Sequence, residues 1–321
     1  MDMPKVLIHL GYPKTASTFL QKKFFPNDKL GFSLIQDDIF DCLIDCDDFD
    51  FSPEKVQEYY YSLFTKTHAD NLMPVISRET LSMRFYRSTY QRILSDRFYQ
   101  VFPNAKIFFF IREQMSAIYS VYNQSVKGDY HKTIEQFIED SLPSKTNKIL
   151  KANIKKISAT QYRFDLLTEC YQKNYGPDNV LVLPFEMLKR QPVETLEKIM
   201  KFAEVKIEVE KQKEYLLELL SEKDTNKALK AGILDLKSKI NKMIFYPNPE
   251  TIEPYKWLFQ LSLTYKIARV FELIIPEKIH QAEEKRIKSL IEKNYGNLYQ
   301  ESNRRTSELI GIDLSEYGYR M

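Results

Sequence analysis

Glycine is scarce in this sequence, with eight residues in 321, and the order G-x-G-x-x-G occurs nowhere. That absence excludes the usual dinucleotide-binding turn, which needs glycine for its tight bend and for close approach of the backbone to a pyrophosphate. The Walker A order G-x-x-x-x-G-K-[ST] is missing too. Cysteine is limited to Cys42, Cys46 and Cys170, too few and odd in number for a disulfide framework. Cys42 and Cys46 have no second Cys or His pair to complete a zinc site, and His9, His68, His131 and His280 show no H-x-x-x-H spacing, so no metal is expected. The formal charge of +3 is too small to mark a nucleic-acid binder. No apolar run reaches the length that spans a bilayer. A strand pattern sets in almost at once after Met1, which leaves no space for a signal peptide, and the expected location is cytoplasmic.

What is present is a set of short apolar runs separated by helical sequence. Lys5–Leu10, Pro74–Ser77, Ala105–Ile111 and Asn179–Leu183 read as strands rich in Val, Ile, Leu and Phe. Pro74 is expected to open its strand, where a missing N–H does least harm. The run Lys106-Ile107-Phe108-Phe109-Phe110-Ile111 is apolar on both faces, as a central parallel strand is. Alternation of strand and helix predicts an α/β fold with a parallel sheet covered by helices.

The first strand leads into Gly11-Tyr12-Pro13-Lys14-Thr15-Ala16-Ser17-Thr18, then a helical pattern. Strand, tight turn, and a helix opened by lysine and hydroxyl residues together make an anion cradle, because free N–H groups, the helix dipole and the ammonium all favour negative charge. A second anion site is signalled at Arg112, at the carboxyl end of the third run, where open parallel sheets place ligands. Ser120 follows eight residues later in a helical segment, on the face that Arg112 begins. Glu79 stands after the second run in Ser77-Arg78-Glu79-Thr80-Leu81, either as a base or as the partner of Arg78 or Arg84.

These motifs resemble those of sulfotransferases that use 3′-phosphoadenosine 5′-phosphosulfate (PAPS), in particular bacterial members with a P-loop-like fold. Pro13 to Thr18 is similar to the 5′-phosphosulfate loop P-K-[ST]-G-[ST]-[ST], with Ala16 at the usual glycine, a change that helical backbone would accept. Arg112, Ser120 and Tyr122 match R-[DN]-P-x-x-R-x-x-S-x-[YF], whereas Glu113, Gln114 and Ala117 depart from it. Phe185-Glu186-Met187-Leu188 looks like the family's [YF]-E-x-L, and the ending through Tyr317-Gly318-Tyr319 is similar to that of many bacterial members.

The resemblance implies a P-loop-like parallel sheet flanked by helices, in one domain over residues 1–321. Helical acceptor-binding insertions would lie roughly at 30–70 and 205–290. It implies PAPS as donor and adenosine 3′,5′-bisphosphate as leaving product. Lys14 would stabilise the leaving phosphate, Thr15, Ala16, Ser17 and Thr18 would hold the 5′-phosphate, Arg112 and Ser120 the 3′-phosphate, and Glu79 would act as general base. His68 and His131 are alternative bases. The acceptor would be a small molecule, a glycan or a lipid-linked sugar, with no nucleic acid and no transmembrane segment, although peripheral membrane contact stays open. A nucleoside or sugar kinase is the rival enzyme, but the third strand ends in Arg112 and not in an acidic Mg²⁺ ligand. A silent nucleotide- or glycan-binding adaptor is the rival of another class.

Other features point to surfaces. Residues 141–164 contain no acid while Lys145, Lys148, Lys151, Lys155, Lys156 and Arg163 accumulate, as a solvated helix face or a wall for an anionic ligand. Residues 255–275 turn aromatic and apolar, as a packing helix, or as a membrane-surface helix that the charge of Glu272 disfavours.

Overall fold

The four expected strands form in the computed structural model, with ends shifted by a residue or two, and a fifth joins them. β1 (Leu7–Leu10), β2 (Phe32–Leu34), β3 (Met73–Arg78), β4 (Lys106–Ile111) and β5 (Val180–Pro184) make one sheet in the order β2-β3-β1-β4-β5. Every pairing is parallel. The structure describes residues 2–36, 43, 46–82, 90–128, 130–141, 159–207, 209–221, 229–245 and 254–321. The lysines between 145 and 156 lie outside them.

β2 escapes sequence reading because three residues with a central serine show no period. Pro74 lies one residue inside β3, opposite Ser33 of the edge strand. Pairing of β3 with β1 begins only at Val75, so the missing N–H of Pro74 removes no bond between those strands.

The described residues divide into two compact units. The first comprises Met1–Glu113, Thr160–Lys223 and Gln300–Met321 and contains the whole sheet. Alternation along β4 decides its layers: Phe108 and Phe110 join a core with Phe24, Phe25, Met187, Leu196 and Leu216, while Phe109 meets the ring of Tyr12. The helices Phe164–Tyr175 and Gln300–Ile310 pack on each other and on β5. At the amino ends of β1 and β4, Glu204 clasps Lys5 (2.7 Å) and Lys106 (2.8 Å).

The second unit is Gln114–Ala159 and Asp224–Tyr299, and its regular elements among the described residues are helices. Asn123 exchanges hydrogen bonds with the backbone of Leu229, and Asn241 shares its amide hydrogens among the carbonyls of Val126, Gly128 and Tyr130. The fully buried Lys237 donates to Gly128 O, Asn241 Oδ1 and Thr264 Oγ1. Among the described residues, no helix is long and apolar enough to cross a membrane.

Candidate active site

The carboxyl ends of β1, β3 and β4 meet around the loop after β1. Gly11 is fixed there by two bonds: its N–H donates to Arg78 O (3.1 Å) and its carbonyl accepts from Ser82 Oγ (2.6 Å). A Cβ at this position would stand 3.0 Å from Glu79 Cα and 3.2 Å from Arg78 O, both backbone atoms. Glycine is therefore demanded by close approach of two strand ends. Tyr12 then turns inward, donating to Gln161 O (2.8 Å) and meeting Phe164 edge-on.

Lys14 and Ala16 both have left-handed backbone, φ 67° and 62°, and Thr15 between them does not. Alternating hand turns successive N–H groups toward one side and makes an anion-binding concavity. Helical backbone at Ala16 is therefore a corrected expectation: Ala16 is the left-handed residue just before the helical turn Ser17–Phe19. A side chain at positive φ costs about 1–2 kcal/mol, which explains why glycine suits this place. The conformation persists because the loop is tied from inside. Thr15 Oγ1 and Ser17 Oγ both donate to Tyr12 O (2.7 and 3.0 Å), and Arg112 Nη1 donates to Lys14 O (3.0 Å). Thr15 and Ser17 are buried, whereas Thr18 is exposed.

Glu79 opens the short turn Glu79–Leu81 after β3 and stays accessible to solvent. Protein atoms crowding its carboxyl raise its pKa above the usual carboxylate value, and the Lys14 ammonium opposes that rise. Ser77, two residues earlier, meets His9 Nδ1 (2.6 Å) and accepts from Gln21 Nε2 (3.1 Å). Burial lowers the His9 pKa to about 3, so its imidazole is neutral at physiological pH.

Arg112 leaves β4 with one nitrogen on the loop and its guanidinium 5.5 Å from the centre of the Phe185 ring. Its Nε is buried without a hydrogen-bond partner. Burial lowers its pKa, offset by Glu186 and Glu113. Glu186 in turn accepts from Glu113 N and from the buried Tyr319 hydroxyl, both at 3.2 Å. Sequence reasoning assigned neither Glu186 nor Tyr319 a role. The available signal was the place of Glu186, two residues past the carboxyl end of a parallel strand.

The first unit thus brings together Lys14, Thr15, Ala16, Ser17, Glu79 and Arg112. Ser120 lies on the helix Gln114–Lys127 in the second unit, half-buried. His68 contacts Lys5 O (2.7 Å), which precedes β1, whereas Gly11 follows it, so His68 sits at the opposite end of the sheet from the loop. His131 is in the second unit beside the Tyr130 ring. Among the described residues, no cluster of His, Cys, Asp and Glu could hold a metal ion.

A family profile described as "Sulfotransferase family" matches residues 52–209. Residues 52–209 are similar to the sulfotransferase family. No curated protein sequence matches the chain. Among solved structures, a sulfotransferase from Alicyclobacillus acidocaldarius shares its fold, with 13% identity, a TM-score of 0.56, and 98% of this chain and 99% of that one covered. Mouse sulfotransferase SULT7A1 complexed with PAP aligns more loosely, at 11% identity and TM-score 0.38, covering 88% of each chain. The α/β architecture of this chain, a five-stranded parallel sheet flanked by helices, agrees with the Alicyclobacillus structure.

Proposed function

We propose that this chain moves a sulfuryl group from PAPS to a hydroxyl or amine of a glycan, a lipid-linked sugar or a small molecule. The observation that carries this reading is Arg112. One of its nitrogens braces the Lys14 carbonyl while its buried Nε has no partner, an arrangement that suits an anion arriving at the loop.

In this reading the alternating backbone of residues 14–16, with Thr15, Ser17 and Thr18, holds the 5′-phosphate. Lys14 neutralises charge growing on the phosphate oxygen as its bond to sulfur breaks. Arg112 holds the 3′-phosphate. The acceptor oxygen or nitrogen forms the new bond to sulfur and gives its proton to Glu79, which must be ionised to receive it. Catalysis is then mostly positioning and charge stabilisation, as in phosphoryl transfer.

The test is ligand binding followed by turnover. Adenosine 3′,5′-bisphosphate is expected to raise the melting temperature by mass action, well beyond the effect of AMP or ATP. Arg112→Ala should erase most of that preference, and equal stabilisation by AMP would refute the 3′-phosphate assignment. Transfer of radiolabelled sulfate from PAPS to a panel of glycans and phenols then separates an enzyme from a silent binder.

A further inference from the structure

The helix Pro254–Ile274 is inside out over its described side chains. Its polar groups face the second unit's interior: Thr264 takes the Lys237 ammonium, and Glu272 accepts from Lys230 N (3.2 Å) and from Arg269 (2.5 Å). Thr264, Ala268 and Glu272 are buried. The apolar residues face out. Leu263, Val270, Phe271 and Ile274 recur at the spacing of one helical face, with Leu273 on its flank and Ile279 just beyond the turn. Leu273 is 88% exposed, Ile274 69% and Val270 57%, values far above those of a face covered by its own chain. The objection that Glu272 spoils an apolar surface falls away, because its carboxylate points inward.

We propose that this face docks on the surface of an anionic lipid bilayer, lying on it without crossing it. Charge decides the occupant. Among the described side chains of 229–243 and 263–279, the exposed ionisable groups are Lys230, Lys239, Lys242, Lys266 and Lys278, against Glu277 as the single acid, and Glu277 pairs with Lys230. Lys266 falls inside the apolar stripe itself, between Leu263 and Val270 on the helical spacing. A second copy docked by a twofold axis would set this same positive patch against itself. An anionic headgroup layer instead attracts the lysines while the acyl boundary takes the leucine and isoleucine side chains, the two contributions that stable peripheral binding needs. The proposal stands independently of the donor assignment.

The experiment is co-sedimentation of the full chain with vesicles of phosphatidylcholine alone and with added phosphatidylglycerol. Binding is expected to the anionic vesicles and to weaken with salt. Leu273→Ser with Ile274→Ser should lower the partition coefficient about tenfold or more. Lys266→Glu with Lys278→Glu should lower it by roughly fivefold or more per site and remove the preference for anionic lipid. All four positions are exposed, and an unchanged circular dichroism spectrum checks the fold. Failure of the wild type to bind, undiminished binding of either double variant, or a dimer in light scattering that Leu273→Ser with Ile274→Ser dissociates would each overturn the proposal.

Discussion

At the scale of the residue, the loop after β1 holds two side-chain-bearing residues where glycine is most at ease. Ala16 at φ 62° is strained, and its small methyl group touches only the edge of the core. Ala16→Gly is therefore expected to stabilise the protein by about 0.5–1 kcal/mol, less than the full steric cost because glycine frees the unfolded chain. The urea midpoint at constant slope is the measurement. Gly11→Ala should act the other way and abolish turnover, since its methyl group would push the end of β3 from the loop. Glu79 carries a pH signature. Its ionised form is disfavoured by crowding and favoured by the Lys14 ammonium. Activity should fall as pH drops through a pKa above the usual carboxylate value, and Glu79→Gln should lower turnover by about a hundredfold or more. Removing the ammonium by Lys14→Met should raise the Glu79 pKa further, as read by carbon-13 NMR of its carboxyl group. A lowered or unchanged value would mean that the two charges do not interact.

At the scale of the element, one acidic side chain gathers the amino ends of two strands. Glu204 receives hydrogen bonds from Lys106 and Lys5, which lower its pKa to about 2. A depressed folded pKa stabilises the protein above the unfolded value, near 4.5, and that contribution is lost as pH falls toward 2. Glu204 is half exposed, so solvent screening limits the gain to about 1 kcal/mol or less. Glu204→Gln should be slightly less stable than wild type at pH 7, with the difference vanishing by about pH 2. Parallel chemical denaturation curves across pH check both the size and the sign.

At the scale of the whole molecule, two units with separate interiors should not lose structure together. The second unit hangs on Asn241, whose amide donates to carbonyls at and just past the end of the helix Gln114–Lys127. Asn241→Ala would take this donor from the Val126 and Tyr130 carbonyls, leave Gly128 O to Lys237, and is expected to cost roughly 1–3 kcal/mol. Hydrogen exchange should show the loss in amides of residues 114–127 and 234–245, with protection across β1–β5 nearly unchanged. Uniform loss would show that the two units unfold as one.

Sequence by itself determined four of the five strands and which end of them carries the candidate residues. Short runs apolar on both faces, such as Lys106–Ile111, can be buried only in a helix-covered parallel sheet, and ligands sit at the carboxyl ends of such strands. Local chemistry therefore singled out Lys14, Glu79 and Arg112 as candidates, each one to four residues beyond a strand. Tertiary structure decided what periodicity cannot carry. The left-handed turn at Ala16 is held by local ties to Tyr12 O and by Arg112, which reaches Lys14 O from 98 residues away. The bond of Tyr319 to Glu186, whose charge offsets the burial of Arg112, joins residues far apart in sequence. The direction in which residues 263–274 face likewise depends on Lys237, Lys230 and His280 claiming the helix's polar side. Helical spacing reports that two faces differ; only the groups packed against them decide which one meets water.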